Sequence, residues 1–145
     1  LITAYHIFKK YKSPTLLIDA GTFVTMDVIT RAGFLGGYII PNHESYFSLY
    51  EKGEQLKGFA FSPEVKNDLP HETVDALAQS YSAFAALAKK LISEHKIEKI
   101  LLTGGKSALW KSFFADLKDQ VVVEEDSHLI HWALLNWMTT QIEPL

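Results

Sequence analysis

The chain has 145 residues, 48% of them apolar, and a formal net charge of −3, which suffices for one core of ordinary size but not two. Its scattered lysines offer no basic face to nucleic acid or an anionic membrane, and no apolar run is long enough to span a bilayer. The absence of cysteine excludes disulfide frameworks, thiolate nucleophiles and cysteine-bound zinc, so small-molecule chemistry in the cytoplasm is the class that fits.

Leu1, Tyr5 and Phe8 recur at helical spacing with no cap before them, which predicts an amphipathic helix over 1–11 whose start lies upstream. Its lysines fall at the end, unlike those of a signal peptide. Ser13-Pro14 ends it, because proline disfavours the helical conformation in the residue before it. Thr15 to Asp19 and Phe23 to Thr30 read as strands joined through Ala20-Gly21, a hairpin. After the turn Arg31-Ala32-Gly33, Phe34 to Ile40 is a third strand, whose Gly36-Gly37 pair implies a bulge or close backbone approach. Pro41 is expected to open a helix with Tyr46, Leu49, Tyr50 and Leu56 on one face, and 57–68 reads as a long loop of the functional or mobile kind. One continuous helix is expected from His71 to Ser93, with Pro70 in its first turn and Val74, Leu77, Tyr81, Phe84 and Leu91 keeping the 3.6-residue period. Lys99 to Thr103 is a strand running into Gly104-Gly105, followed by a helix from Ser107 to about Leu117 and a strand over Val121 to Val123. Asp126 or Ser127 then caps a final helix carrying Leu129, Ala133 and Trp137. This order predicts an α/β domain, a ribonuclease-H-like lobe with a mixed central sheet flanked by helices, and no internal repeat or linker divides it.

The densest chemistry lies in Asp19-Ala20-Gly21-Thr22-Phe23-Val24-Thr25-Met26-Asp27. Glycine lets backbone N–H groups converge on a phosphate, a threonine adds a donor, and an aspartate at a strand end can hold a charge-neutralising cation. A plain hairpin whose Asp and Gly serve only the turn is the competing reading. Gly36-Gly37 and Gly104-Gly105 punctuate two further strands; each pair alone marks a turn or tight packing, but together they outline a nucleotide cleft.

The runs Leu17-Ile18-Asp19-Ala20-Gly21-Thr22, Thr25, Asp27, and Gly33-Phe34-Leu35-Gly36-Gly37-Tyr38-Ile39-Ile40-Pro41 resemble the middle of type III pantothenate kinases, an actin-like family. Leu69-Pro70 followed by Thr73, and Leu101-Leu102-Thr103-Gly104-Gly105, continue the resemblance, which covers essentially the whole chain. It implies ATP-dependent phosphorylation of pantothenate to 4′-phosphopantothenate, the first step of coenzyme A biosynthesis, in a cytoplasmic homodimer. It implies that Asp19 holds a monovalent cation (K+ or NH4+), that Gly21, Thr22, Gly104 and Gly105 adjoin ATP with its Mg2+, and that Thr73 contacts pantothenate. Residues 1–145 would then be the single C-terminal lobe of a two-lobe kinase. The family's Asp-x-Gly-Asn-Thr and Gly-x-Asp-Arg motifs are absent, so the catalytic aspartate is expected upstream of Leu1, no residue here is expected to be the base, and the fragment alone is expected to be inactive. Asn42, Phe23 and Ser80 depart from the family's usual residues. Two alternatives stay open: a non-catalytic regulatory homologue of the Bvg accessory factor type, or another actin-like small-molecule kinase.

Other constellations read as structural. His128 and His131 are three apart on a helix with no third metal ligand; Trp110, Trp132 and Trp137 lie in helical patterns as core or interface residues; Glu124-Glu125-Asp126 reads as an exposed strand end with a helix cap.

Overall fold

Leu16, Leu17 and Ile18 are each no more than 2% exposed, so consecutive residues on opposite faces of one strand are all buried, as in the middle of a sheet covered on both sides. The computed structural model describes residues 2–53 and 68–140; the expected loop falls outside them except for Asp68, as does Leu56. Helix α1 (Ile2–Lys10) leads into β1 (Thr15–Ala20), β2 (Phe23–Thr30) and β3 (Gly33–Pro41). Then come α2 (His43–Ser48), α3 (Thr73–Ser80), α4 (Ser82–Glu94), β4 (Lys99–Thr103), α5 (Ser107–Phe113), β5 (Val122–Glu125) and α6 (Leu129–Thr140).

The strands form one mixed sheet in the order β3-β2-β1-β4-β5. β1 pairs antiparallel with β2 and β2 with β3, whereas β1 pairs parallel with β4 and β4 with β5. This is the helix-flanked mixed sheet that the sequence predicts. On one face Leu16, Ile18, Met26, Ile100 and Leu102 pack against Tyr81, Ala88, Trp110 and Phe114. On the other, Leu17, Ile29 and Leu101 meet Ala4 and Ile7 of α1 and Leu129 of α6. Each large aliphatic residue buried this way contributes about 2 kcal/mol from lost apolar hydration.

The glycine pair in β3 serves both expected purposes. The β2–β3 register shifts between Val28 and Ile29, leaving Leu35 as the extra residue of a bulge. A Cβ on Gly37 would lie 2.1 Å from the Met26 carbonyl oxygen, so only glycine allows that approach.

Several boundaries differ from expectation. Pro41 ends β3 instead of opening a helix, and Asn42 caps α2 by accepting a hydrogen bond from the Ser45 amide at 2.7 Å. Leu49 is exposed, while Tyr46 and Tyr50 turn inward and share a hydrogen bond. The single helix from His71 to Ser93 is two helices that meet at Tyr81, and Pro70 lies ahead of the first. Ser80 Oγ donates to Leu77 O and Ser82 Oγ to Gln79 O, giving the carbonyls at the junction side-chain partners that compete with the helical ladder. The helix from Ser107 ends at Phe113 and gives way to a 3₁₀ turn over Ala115–Leu117. The last strand begins at Val122 rather than Val121 and runs through Glu125.

Of the three tryptophans, Trp110 is fully buried, whereas Trp132 and Trp137 on α6 are about half exposed. The acidic run is more organised than an exposed strand end. Glu124 pairs with Lys99, Glu125 accepts from Ser107 Oγ and pairs with Lys111, and Asp126 Oδ1 accepts from the His128 amide.

Candidate functional site

Side-chain parity builds the site. The alternation that turns Leu17 and Leu101 toward α1 and α6 brings Asp19 and Thr103 to the same face two residues further along β1 and β4. Asp19 is in register with Thr103 on one side and with Thr25 on the other. Asp27 follows on β2, opposite Gly37. A carboxylate and two hydroxyls therefore share the carboxyl end of β1 and its neighbours, where open α/β sheets bind ligands, with the Asp27 carboxylate further back on the same face in register with Leu17.

Two glycine turns close over this end. Gly104 has φ +88°, and a Cβ there would lie 2.6 Å from the Ala20 carbonyl and 2.8 Å from Asp19 Oδ1. The Lys106 amide donates to Ala20 O at 2.9 Å, so the turn after β4 is bonded to the end of β1. The start of α2 holds both turns. Asn42 Nδ2 donates to Gly21 O at 3.3 Å, and Lys106 pairs with Glu44. The hydrogen bond from Lys106 draws the Glu44 carboxyl below its ordinary range.

Asp19 and Asp27 lack such donors: among the described residues, no side-chain hydrogen bond or ion pair reaches either carboxylate. Burial pushes both above the ordinary carboxylate value, and for Asp27 the charge of Asp19 adds to the rise. Thr103, 1% exposed, has a buried hydroxyl without a hydrogen-bond partner among the described residues. A partly buried carboxylate and an unpartnered hydroxyl in register are an oxygen set that fits a hard cation. No three His, Cys, Asp or Glu side chains converge among the described residues, and the rings of His128 and His131 meet edge to face at 5.9 Å.

The structure thus brings together Asp19, Gly21 and Gly104, with Thr22 exposed at the hairpin tip and Gly105 exposed beside Gly104. Thr73 is the exposed first residue of α3, and no hydrogen bond joins it to the strand-end group among the described residues. Sequence reasoning assigned no role to Glu44, Lys106 or the Thr103 side chain, and it read Asn42 only as a departure. An Asn two residues before an acidic one at a helix start was the available signal. A groove of about 440 Å³ between α1 and α6, lined by His6, Lys9, Lys10, Trp132 and Asn136, includes none of these strand-end residues.

Comparison with known proteins gives this arrangement a family context. The profile of the type III pantothenate kinase family matches residues 1–94. A type III pantothenate kinase of Wolinella succinogenes is 32% identical over 101 residues, covering 68% of this chain and 47% of the relative. Its counterpart in Campylobacter jejuni is 29% identical over 100 residues, with the same coverages. The chain spans about half the length of these curated relatives. Among solved structures, one described as a Baf family transcriptional activator from Campylobacter jejuni superposes with a TM-score of 0.63 at 24% identity, covering 96% of this chain and 64% of that one. The apo pSK41 ParM protein superposes with a TM-score of 0.50 at 11% identity, covering 97% of this chain and 45% of that one. At these identities the likeness shows the fold alone, that of actin-like proteins.

Proposed function

Because the chain belongs to the type III pantothenate kinase family, we propose that it serves as the nucleotide- and cation-binding lobe of an enzyme that phosphorylates pantothenate with ATP. The product is 4′-phosphopantothenate, the first intermediate on the way to coenzyme A. The observation that carries this reading is the junction of the two glycine turns, where Gly104 lies against Ala20 and the Asp19 carboxylate.

In this reading Gly21 and Thr22 offer an amide and a hydroxyl to the ATP phosphates, and Gly104 and Gly105 let the nucleotide approach the backbone. Asp19 holds a monovalent cation, K+ or NH4+, which with Mg2+ offsets negative charge as the γ-phosphoryl group moves. Thr73, exposed at the start of α3, contacts pantothenate. The base that takes the proton of the pantothenate hydroxyl comes from another lobe, for which the roughly doubled length of the relatives leaves room. The enzyme acts in the cytoplasm as a homodimer. Among the described residues no helix is long and apolar enough to cross a membrane.

A coupled assay of ADP release by the full-length protein, with and without pantothenate and potassium, tests the proposal. Pantothenate-dependent release that rises with potassium supports it. Release with another alcohol but not pantothenate would reassign the substrate. No release with any alcohol would overturn the enzymatic reading in favour of a regulatory homologue.

A further inference from the structure

The Thr103 hydroxyl is the clearest unexplained group near the site. It belongs to a residue 1% exposed, at the last position of β4, and no described atom gives it a hydrogen bond. Valine would fill such a position in a buried parallel strand without leaving a polar atom unpaired. Register fixes where the side chain stands. In-register neighbours in a parallel pair project to the same face, so the Thr103 side chain leaves the sheet beside that of Asp19. Gly104 follows at once, and a Cβ there would lie 2.8 Å from Asp19 Oδ1 and 2.6 Å from the Ala20 carbonyl. The hydroxyl and the carboxylate therefore stand side by side, neither with a side-chain partner among the described residues, beside a turn whose close approach only glycine allows.

We propose that Thr103 is a second protein ligand for a monovalent cation held at Asp19, its hydroxyl oxygen lying toward the same ion as the carboxylate. The inference rests on the reading of Asp19 as a monovalent-cation site and adds a residue to it. A bound cation gives both oxygens a partner at once, since a carboxylate and a hydroxyl lone pair can face one ion. A neutral second ligand also keeps the local negative charge low, which suits a singly charged ion better than a strongly hydrated divalent one.

The test is a titration of melting temperature with potassium chloride, in the full-length protein without nucleotide, with tetramethylammonium chloride holding ionic strength constant. Magnesium chloride serves as a second comparison. The wild type should show a saturable, potassium-specific rise. Thr103→Val should melt no lower than wild type without potassium, because it removes the orphaned hydroxyl, yet need at least tenfold more potassium for half its rise. Thr103→Ser, which keeps the oxygen, should stay within about threefold of the wild-type midpoint, and Asp19→Asn should lose the rise. Should valine prevent folding, Thr103→Ala gives the same comparison. An unchanged midpoint in the valine or alanine variant, with the response lost in Asp19→Asn, would overturn the role of Thr103 and leave the Asp19 site standing. The absence of any potassium-specific response in the wild type, or a larger one to magnesium, would overturn the proposal and the monovalent site together. Phosphoryl transfer to pantothenate would still be judged separately by ADP release.

Discussion

The side-chain amide of Asn42 donates to the carbonyl of Gly21 while its oxygen caps helix α2 at the Ser45 amide. One buried residue thus fastens the tip of the β1–β2 turn to the helix that follows β3. Replacing it with alanine removes both bonds. Asn42→Ala is expected to cost about 1 kcal/mol from the cap alone, and Asn42→Gly only a few tenths, as read by urea unfolding. If both variants matched wild type, the cap and the tether would be energetically idle.

Gly104→Ala faces two penalties at once, a left-handed backbone and a Cβ set against backbone and carboxylate atoms. The expected loss is about 2–4 kcal/mol. Gly105→Ala, where a Cβ meets nothing within 4 Å, should be nearly neutral. Chemical denaturation of the pair separates the adjacent glycines.

Burial raises Asp19 above its ordinary value of 3.8, so the folded chain holds that proton more tightly than the unfolded chain does. The contribution of this group to stability is then greatest below the unfolded value and is lost as pH rises through the folded one. Asp19→Asn should therefore stabilise the cation-free protein at neutral pH, with the gain disappearing in acid. Any stabilisation of the wild type by potassium should run the opposite way, fading as pH falls and the carboxylate takes up its proton. Melting temperatures of both proteins across that range, with and without potassium, check both signs.

Tyr81 lies fully buried where α3 meets α4, and its hydroxyl donates to Pro41 O at 3.1 Å among the rings of Tyr46, Phe47, Phe84, Trp110 and Phe113. Tyr81→Phe keeps the ring and drops the bond, for an expected loss of about 1 kcal/mol. Tyr81→Ala should cost about 3–5 kcal/mol. Denaturant midpoints for the two separate the hydroxyl from the ring.

Much of the architecture is legible in the chain because hydrophobic parity and glycine placement are local signals. Leu16 to Ile18, the alternation of Val24, Met26 and Val28, and the short run ending at Thr103 place the strands nearly where they lie. The break at Tyr81 is not legible, because the apolar period continues straight through it; the interruption comes from serine hydroxyls and from a tyrosine reaching a carbonyl 40 residues away. Pro41 misleads for a related reason. Proline suits a first helical turn, but here it ends an edge strand and the next residue caps the helix. Within the site, Asp19, Gly21 and Gly104 are visible as motif residues. The Lys106–Glu44 pair joins positions 62 apart in sequence, and Thr103 reads as one more β-branched strand residue until burial and register reveal its unpaired oxygen.

The burial of Trp110 gives the protein an internal optical reporter. Its indole lies in α5, the helix that follows the Gly104–Gly105 turn, and is sealed from solvent, whereas Trp132 and Trp137 are open to it. Acrylamide should quench the two α6 indoles and spare the third, so the emission that survives quenching comes mainly from α5. A change in that residual signal on adding nucleotide would register movement beneath the turn, free of the background from the opposite face of the sheet.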